Sequence, residues 1–216
     1  IIRITQQDTS NVMSLLELGD QYEHNKPDSA LIYYNRALDL SKEIKSQTLI
    51  AKCSRYIGII YYYQGFYTKA IAYHIKSLNA FKIIGDKKGI SGSYNNIGLV
   101  YEYQGAYDKA LSYYLKSLKI SKETDNKKGI AQTYNNIGSI YWQQGREDES
   151  IQHYLKSLKI KEEIGDNNGA YKSKIFLCRH YRYSGNYMKA FRIGYDALFY
   201  FEDQKDFKEI PLAYNN

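Results

Sequence analysis

The chain has 216 residues, of which 44% are hydrophobic and 15% aromatic, and it carries a formal net charge of +7. This length can bury a sizeable core in one large domain or two small ones. Only two prolines interrupt a helix-forming composition, so we predict an all-α protein. The sequence contains no apolar run of membrane-spanning length, and we expect no membrane insertion in this segment.

A 40-residue repeat dominates the sequence. Residues 87–126 and 127–166 align without a gap, and 21 of the 40 aligned positions are identical. A fixed period in this range is the signature of a solenoid of stacked hairpins. The frame predicts a single domain of five repeats and the start of a sixth. In chain order they cover residues 10–46, 47–86, 87–126, 127–166, 167–206 and 207–216.

Each repeat has the pattern of two antiparallel helices, A and B. In the third repeat, residues 88–103 are predicted as helix A and residues 107–123 as helix B, with a break at Gln104-Gly105. A glycine there ends helix A because it readily adopts positive φ. The turns between repeats carry Asp or Asn, which are suited to cap the next helix A. These capping residues are Asp86, Asn126 and Asp166.

Equivalent residues extend the frame beyond the two best-matched repeats. One column contains Tyr61, Tyr101, Tyr141 and Tyr181, and a column of small residues contains Ala70, Ala110, Ser150 and Ala190. The motif restarts at Tyr214-Asn215-Asn216, where the sequence stops. We therefore expect the chain to be a piece of a longer protein.

The repeat resembles the tetratricopeptide repeat (TPR) family. The residues that carry the resemblance in the third repeat are Tyr94, Ile97, Gly98 and Tyr101, followed by Ala110, Tyr114 and Ser117. The 40-residue period, the Tyr in place of Trp and the missing terminal Pro depart from the family pattern. They are similar to the extended repeats of kinesin light chains and Rap-type regulators. The resemblance implies a right-handed superhelical solenoid whose A helices line a concave peptide-binding groove.

The predicted groove residues lie at helical spacing along one side of each helix A. They are Lys52, Arg55, Asn95, Asn96, Leu99, Glu102, Asn135, Asn136, Ser139, Trp142, Lys172, Arg179 and Arg182. The same side includes Ile59, Tyr62 and Ile175. The groove is therefore expected to be amide-rich and aromatic in its middle and basic at both ends.

The paired asparagines of the third and fourth repeats indicate a polar partner, because Asn is a poor interior helix residue. The resemblance implies that their carboxamides bind the backbone amides of an extended peptide. Alternatively, one Asn of each pair bonds across the A-helix layer to order neighbouring repeats. The groove arginines either recognise a carboxylate or are solvated charges. Trp142 either anchors an apolar side chain of the partner or packs between repeats.

The sequence offers little support for chemistry. His24, His74, His153 and His180 do not pair at metal-ligand spacing. Cys53 and Cys178 form no CxxC motif and are expected to be small core residues. Nucleophile elbows and phosphate-binding loops are absent from the sequence. We predict no catalytic residue, no metal site and no cofactor, and hence no enzyme.

The predicted function is a protein- or peptide-binding scaffold, forming the recognition or sensory region of a larger bacterial signalling or regulatory protein. The partner is an extended peptide or protein, with acidic residues as one option. An RNA-binding repeat is the alternative that the net charge suggests, but Asn, Ser, Leu and Glu102 interrupt the cationic side chains of the groove. A second alternative is an assembly scaffold that forms homo-oligomers through its terminal repeats. A cytoplasmic and a periplasmic location are equally compatible with the sequence.

Overall fold

The computed structural model describes residues 6–203, with side chains for residues 8–200. Within that range the chain forms ten α-helices of 17 residues each and no strand. They are α1 (Gln6–Tyr22), α2 (Pro27–Glu43), α3 (Gln47–Tyr63), α4 (Tyr67–Ile83), α5 (Lys87–Tyr103), α6 (Tyr107–Glu123), α7 (Lys127–Gln143), α8 (Glu147–Glu163), α9 (Asn167–Tyr183) and α10 (Tyr187–Asp203). Odd-numbered helices are the A helices and even-numbered helices the B helices of five hairpins. The partial sixth repeat predicted at residues 207–216 lies outside the described residues.

The helices belong to two compact units. The N-terminal unit extends to Ile120 and contains α1–α5 and most of α6, whereas the C-terminal unit begins at Ser121 and contains the end of α6 and α7–α10. Consecutive helices pack on each other from α1 to α5 in the first unit and from α7 to α10 in the second. The predicted all-α helical-repeat solenoid is confirmed, since each unit is a stack of consecutive antiparallel hairpins.

In the first four hairpins a large ring of helix B lies against a glycine of helix A, whereas in the fifth Cys178 of helix A lies against Gly194 of helix B. A Cβ atom added at Gly98 would lie 2.7 Å from Cε1 of Tyr114, and one added at Gly58 would lie 2.6 Å from Cε1 of His74. Tyr114 and His74 are both buried. The glycine column therefore sets how closely the two helices of a hairpin approach.

The predicted caps of the A helices are confirmed. The backbone N–H groups of Gly89, Gly129 and Gly169 donate to the side chains of Asp86, Asn126 and Asp166 at 2.9, 3.2 and 3.0 Å. Each bond satisfies an amide that the first turn of a helix leaves without an intrahelical partner.

Left-handed residues end the B helices before these caps. Gly85 and Gly165 have φ of 69° and 70°, and the equivalent positions of the first and third repeats hold Lys45 and Asp125, with φ of 55° and 47°. Non-glycine residues at positive φ are strained. The 40-residue frame therefore imposes this turn even where the sequence lacks a glycine.

Candidate functional site

The candidate residues of the N-terminal unit lie on α3 and α5, which are successive A helices. Lys52 and Arg55 of α3 and Asn96, Leu99 and Glu102 of α5 are half-buried. Asn95, in contrast, is only 6% exposed. The burial of Asn95 favours a structural role for this member of the Asn95-Asn96 pair.

An aromatic pair joins α3 to α5 in this unit. The rings of Tyr62 and Tyr103 meet edge to face with their centroids 5.0 Å apart, and Tyr63 lies beside Tyr62 with centroids 5.1 Å apart. Tyr63 is 69% and Tyr103 61% exposed, whereas Tyr62 is half-buried. Burial, with a hydrogen bond to Tyr103 as the next cause, raises the pKa of Tyr62 above its ordinary value. The exposed rings of Tyr63 and Tyr103 present apolar area to solvent.

Glu102, the acidic residue next to Tyr103, is hydrogen-bonded to helix B of the same hairpin. The Tyr114 hydroxyl of α6 donates to Oε2 of Glu102 at 2.6 Å. Burial, followed by the charge of Glu102, raises the pKa of Tyr114. The hydrogen bond fixes the position of the Glu102 carboxyl group on α5.

The C-terminal unit presents its candidate residues on α7 and α9. Asn135, Asn136, Ser139 and Trp142 of α7 are half-buried. On α9, Lys172 and Arg179 are half-buried and Arg182 is exposed. The expectation that Ile175 lies on the same side was wrong, because Ile175 is 1% exposed and packs against Ala197 of α10.

A second aromatic pair joins α7 to α9, equivalent to the first pair and two repeats further along the chain. The centroids of Trp142 and Tyr183 are 5.4 Å apart, and Tyr183 is 63% exposed. The buried ring of His180 meets Trp142 edge to face at 4.2 Å and lies 5.1 Å from Tyr154. Burial lowers the pKa of His180 to about 4, so that the ring supporting Trp142 is neutral near neutral pH.

A cleft of about 310 Å³ lies between the start of α7, the end of α8 and the start of α9. Asn135 and Gln132 line it together with Lys128 and Lys161. Nζ of Lys161 donates to Oγ of Ser173 at 2.8 Å and to the carbonyl of Gly169 at 3.2 Å, and burial lowers its pKa. The cleft combines amide and ammonium donors and suits a peptide carbonyl or a carboxylate.

The second asparagine of each pair occupies a position where other repeats place a ring. Tyr56 stacks on Tyr34 with centroids 5.1 Å apart, and Phe176 stacks on Tyr154 with centroids 5.4 Å apart. Asn96 and Asn136 hold the equivalent positions of the third and fourth repeats. In the second and fifth repeats this position serves the contact with the preceding repeat, and in the fourth repeat the neighbouring Asn135 lines a cleft.

The exposed tyrosines were missed as candidate residues by the sequence interpretation. Tyr63, Tyr103 and Tyr183 form a column at 40-residue spacing, with Gln143 as its fourth member. The column could have been found because it directly follows Tyr62, Glu102, Trp142 and Arg182. The set of helical positions used to predict the groove ends one residue before this column, at Tyr62, Glu102, Trp142 and Arg182, and therefore does not include the tyrosines.

Other kinds of site find no support in the part of the chain that the structure describes. Residues 6–203 contain no cluster of three His, Cys, Asp or Glu side chains arranged to hold a metal ion. Cys53 and Cys178 are buried thiols, as predicted. None of the ten described helices is both long and apolar enough to cross a membrane.

Solved structures with the same fold include regulators and a kinesin light chain. The apo form of RapI shares 21% identity with the chain, with a TM-score of 0.78 over 90% of this chain and 72% of that one. The Rap conjugation gene regulator of plasmid pLS20, solved in complex with the Phr* peptide, shares 17% identity, with a TM-score of 0.78 over 95% of this chain and 58% of that one. A putative kinesin light chain of Podospora anserina with nearly identical TPR-like repeats shares 12% identity, with a TM-score of 0.71 over 94% of this chain and 100% of that one. At these identities the similarity concerns the fold alone.

Family models describe most of the sequence. The model of the tetratricopeptide repeat matches residues 48–123, 89–163 and 129–198, and the model of the SusR N-terminal TPR domain matches residues 2–83. No curated protein matches the chain as a whole sequence. The repeat models together cover well over half of the residues, and the chain belongs to the tetratricopeptide repeat family.

Proposed function

We propose that the A-helix side of each unit binds an extended segment of a peptide or protein, and that the chain is the recognition region of a larger signalling or regulatory protein. The observation that carries this proposal is the repeated aromatic pair, Tyr62 with Tyr103 and Trp142 with Tyr183. Both pairs join successive A helices at equivalent positions, and one ring of each pair is more than 60% exposed.

Exposed aromatic pairs of this kind are suited to anchor side chains of a partner. Tyr and Trp bury a large area with little loss of conformational entropy, and their polar atoms tolerate solvent. On the same helix as Trp142, Asn135 lines a cleft that supplies donors and acceptors for a peptide backbone. Anchors for side chains and an amide for the main chain are the two requirements of extended-peptide recognition.

The charges on the A helices favour a peptide over a nucleic acid. Glu102 lies on the same side of the N-terminal unit as Lys52 and Arg55, whereas a nucleic-acid surface needs a continuous cationic track. In the C-terminal unit, Arg179, Arg182 and Lys172 lie on the same helix as Tyr183. An acidic residue of the partner next to its aromatic-binding residue would match this second charge pattern.

The comparisons support a binding scaffold in general terms. The TPR fold is typically a non-catalytic interaction scaffold, and one structure of the same fold contains a bound peptide. A model named for an N-terminal TPR domain matches residues 2–83, which suits a repeat region joined to further domains. On the basis of these similarities we propose a peptide-binding role for this chain and a place in a larger protein.

Binding can be followed through Trp142, which is the single tryptophan of the chain. Peptides selected from a random library would be titrated into the full chain while the fluorescence of Trp142 is recorded. The variant Tyr183→Ala keeps this reporter, and we expect it to lose about tenfold in affinity because it removes the exposed ring that pairs with Trp142 in the same unit. Asn135→Ala is expected to weaken the same peptides by several-fold.

The matched control is Ile32→Ala, since Ile32 is 67% exposed on a B helix. Its affinity should equal that of the unmodified chain, and circular dichroism should show that every variant stays folded. Selection of no peptide, or equal affinity of the aromatic variant and the control, would contradict binding at the A-helix side. Selection of RNA with a steep salt dependence would favour the nucleic-acid alternative instead.

A further inference from the structure

The last described helix, α10, carries an apolar stripe that lies open to solvent. Its members follow one another at intervals of four residues, with one neighbour added at the first turn. They are Tyr187, Met188, Phe191, Tyr195 and Phe199, which are 69%, 82%, 71%, 61% and 66% exposed. Residues spaced by four lie in one ridge along a helix, so the stripe is continuous. Phe191 and Tyr195 already stack, with centroids 6.0 Å apart.

The stripe differs from the same side of the preceding B helices. Asp108 and Asp148 occupy the positions equivalent to Met188, and Lys119 and Lys159 those equivalent to Phe199. All four of these charged residues are exposed in their own repeats. At the position of Tyr195 the earlier helices carry Leu115 and Leu155, which are apolar and partly exposed, so the α10 stripe differs from them at its two ends. Stacking of one more hairpin would leave these two ends in water.

The size of the stripe suits a protein interface. With a large apolar side chain offering roughly 200 Å², the five residues expose about 700 Å² in each copy. Two such stripes facing each other would bury about 1,400 Å², which lies within the usual range of stable dimers. Apolar patches of this size on a soluble surface typically mark interaction sites.

The charges beside the stripe of one copy are complementary to those of a second copy when the two α10 helices run antiparallel. Arg192 and Asp196 flank the same edge of the stripe, on either side of its midpoint near Ile193. Asp196 forms an ion pair with Lys174 of α9, but its side chain remains 50% exposed and can accept from a second cation. An antiparallel pair centred there brings Arg192 of each copy close to Asp196 of the other. A parallel two-fold pair would instead place Arg192 and Asp196 of the two copies on opposite edges of the contact, where they could not pair.

We propose that α10 is a homodimerisation helix, and that two copies of this chain pair their α10 stripes antiparallel about a two-fold axis. The contact is isologous, so it closes as a dimer and does not extend into a filament. Hydrophobic burial of the five large side chains supplies the affinity, and the Arg192–Asp196 pairs set the direction.

Sedimentation velocity of the full chain tests the proposal over a wide range of concentrations. The unmodified chain should sediment as a dimer. Phe191→Glu should weaken dimerisation by about a hundredfold or more, because it buries an unpaired charge in the contact. Ile83→Glu is the control, since Ile83 is 69% exposed on α4 and lies outside the stripe. It should dimerise like the unmodified chain.

Crosslinking tests the direction of the pair. Cys53 and Cys178 are buried, so a cysteine introduced on α10 would be the accessible thiol. A short bismaleimide should join two copies of Tyr195→Cys, which lies near the midpoint. It should not join Tyr187→Cys, because antiparallel helices place these two residues about 18 Å apart along the axis.

Three results would overturn the proposal. A monomer at all concentrations would show that no second copy binds. If Phe191→Glu also lowered the folding stability of that monomer, the stripe would be covered within one chain. Oligomers that grow steadily with concentration would indicate end-to-end stacking of repeats. Efficient crosslinking through residue 187 would show a parallel arrangement.

Discussion

At the scale of single residues, the hairpins depend on a few positions that require glycine because a Cβ atom would clash with a neighbouring side chain. Gly98 lies against the ring of Tyr114, which is fully buried and whose hydroxyl is fixed by Glu102. The ring cannot move away without losing that hydrogen bond. Gly92 of the same helix has open space around it, with nothing within 4 Å of an added Cβ.

Gly98→Ala and Gly92→Ala should therefore have opposite effects on the free energy of unfolding. We expect a loss of about 1–3 kcal/mol for Gly98→Ala from overpacking. Gly92→Ala should gain about 0.5–1 kcal/mol, because alanine is the better helix former. Urea unfolding followed by circular dichroism measures both. A gain in both variants would mean that Tyr114 adapts to the added methyl group.

At the scale of elements, the repeat frame was more informative than local propensity. The helices A and B predicted at 88–103 and 107–123 are observed at Lys87–Tyr103 and Tyr107–Glu123. These bounds follow from turn chemistry that the sequence displays, namely a glycine after α3, α5, α7 and α9 and an Asp or Asn before α5, α7 and α9. The burial of Ile175 and Asn95 was not predictable in this way, because helical spacing alone does not give the rotation of a helix against its neighbours.

The caps provide the test at this scale. Asp86→Ala should lower the free energy of unfolding by about 1 kcal/mol, since the Gly89 amide loses its acceptor. Asp86→Asn is the matched control, because Asn126 performs the same role at the start of α7. It should retain most of the stability in thermal unfolding. Equal losses in the two variants would assign the effect to the charge of Asp86 and not to its hydrogen bond.

At the scale of the whole chain, the sequence predicted the family and the helical-repeat fold, but only part of the candidate site. Trp142 was expected on the A-helix side, whereas its support by His180 and its pairing with Tyr183 depend on contacts between repeats. Such contacts join residues about one repeat apart, and no local pattern encodes their geometry. The same holds for the buried histidines, which in sequence appeared only as residues without metal-ligand spacing.

The two buried histidines give the chain a specific sensitivity to acid. His74 and His180 are 2% and 3% exposed, and the Nδ1 atom of each lacks a hydrogen-bond partner within residues 6–203. Burial lowers the pKa of each to about 4, with a smaller effect from Arg55 on His74 and from Arg179 on His180. The unfolded chain binds these protons near its ordinary pKa of about 6.5.

A depressed histidine pKa in the folded state means that protonation favours unfolding. The associated stability is fully present above about pH 6.5 and is lost as the pH falls towards 4. Between pH 8 and pH 5 we expect each histidine to cost about 2 kcal/mol of unfolding free energy.

His74→Phe should remove about half of this pH dependence in urea unfolding, since Phe keeps a ring against Gly58 and cannot be protonated. Ile32→Ala, at an exposed position that does not titrate, should leave the dependence unchanged. If His74→Phe and the unmodified chain lose the same stability between pH 8 and pH 5, protonation of His74 is not coupled to unfolding and the acid sensitivity must come from the carboxylates.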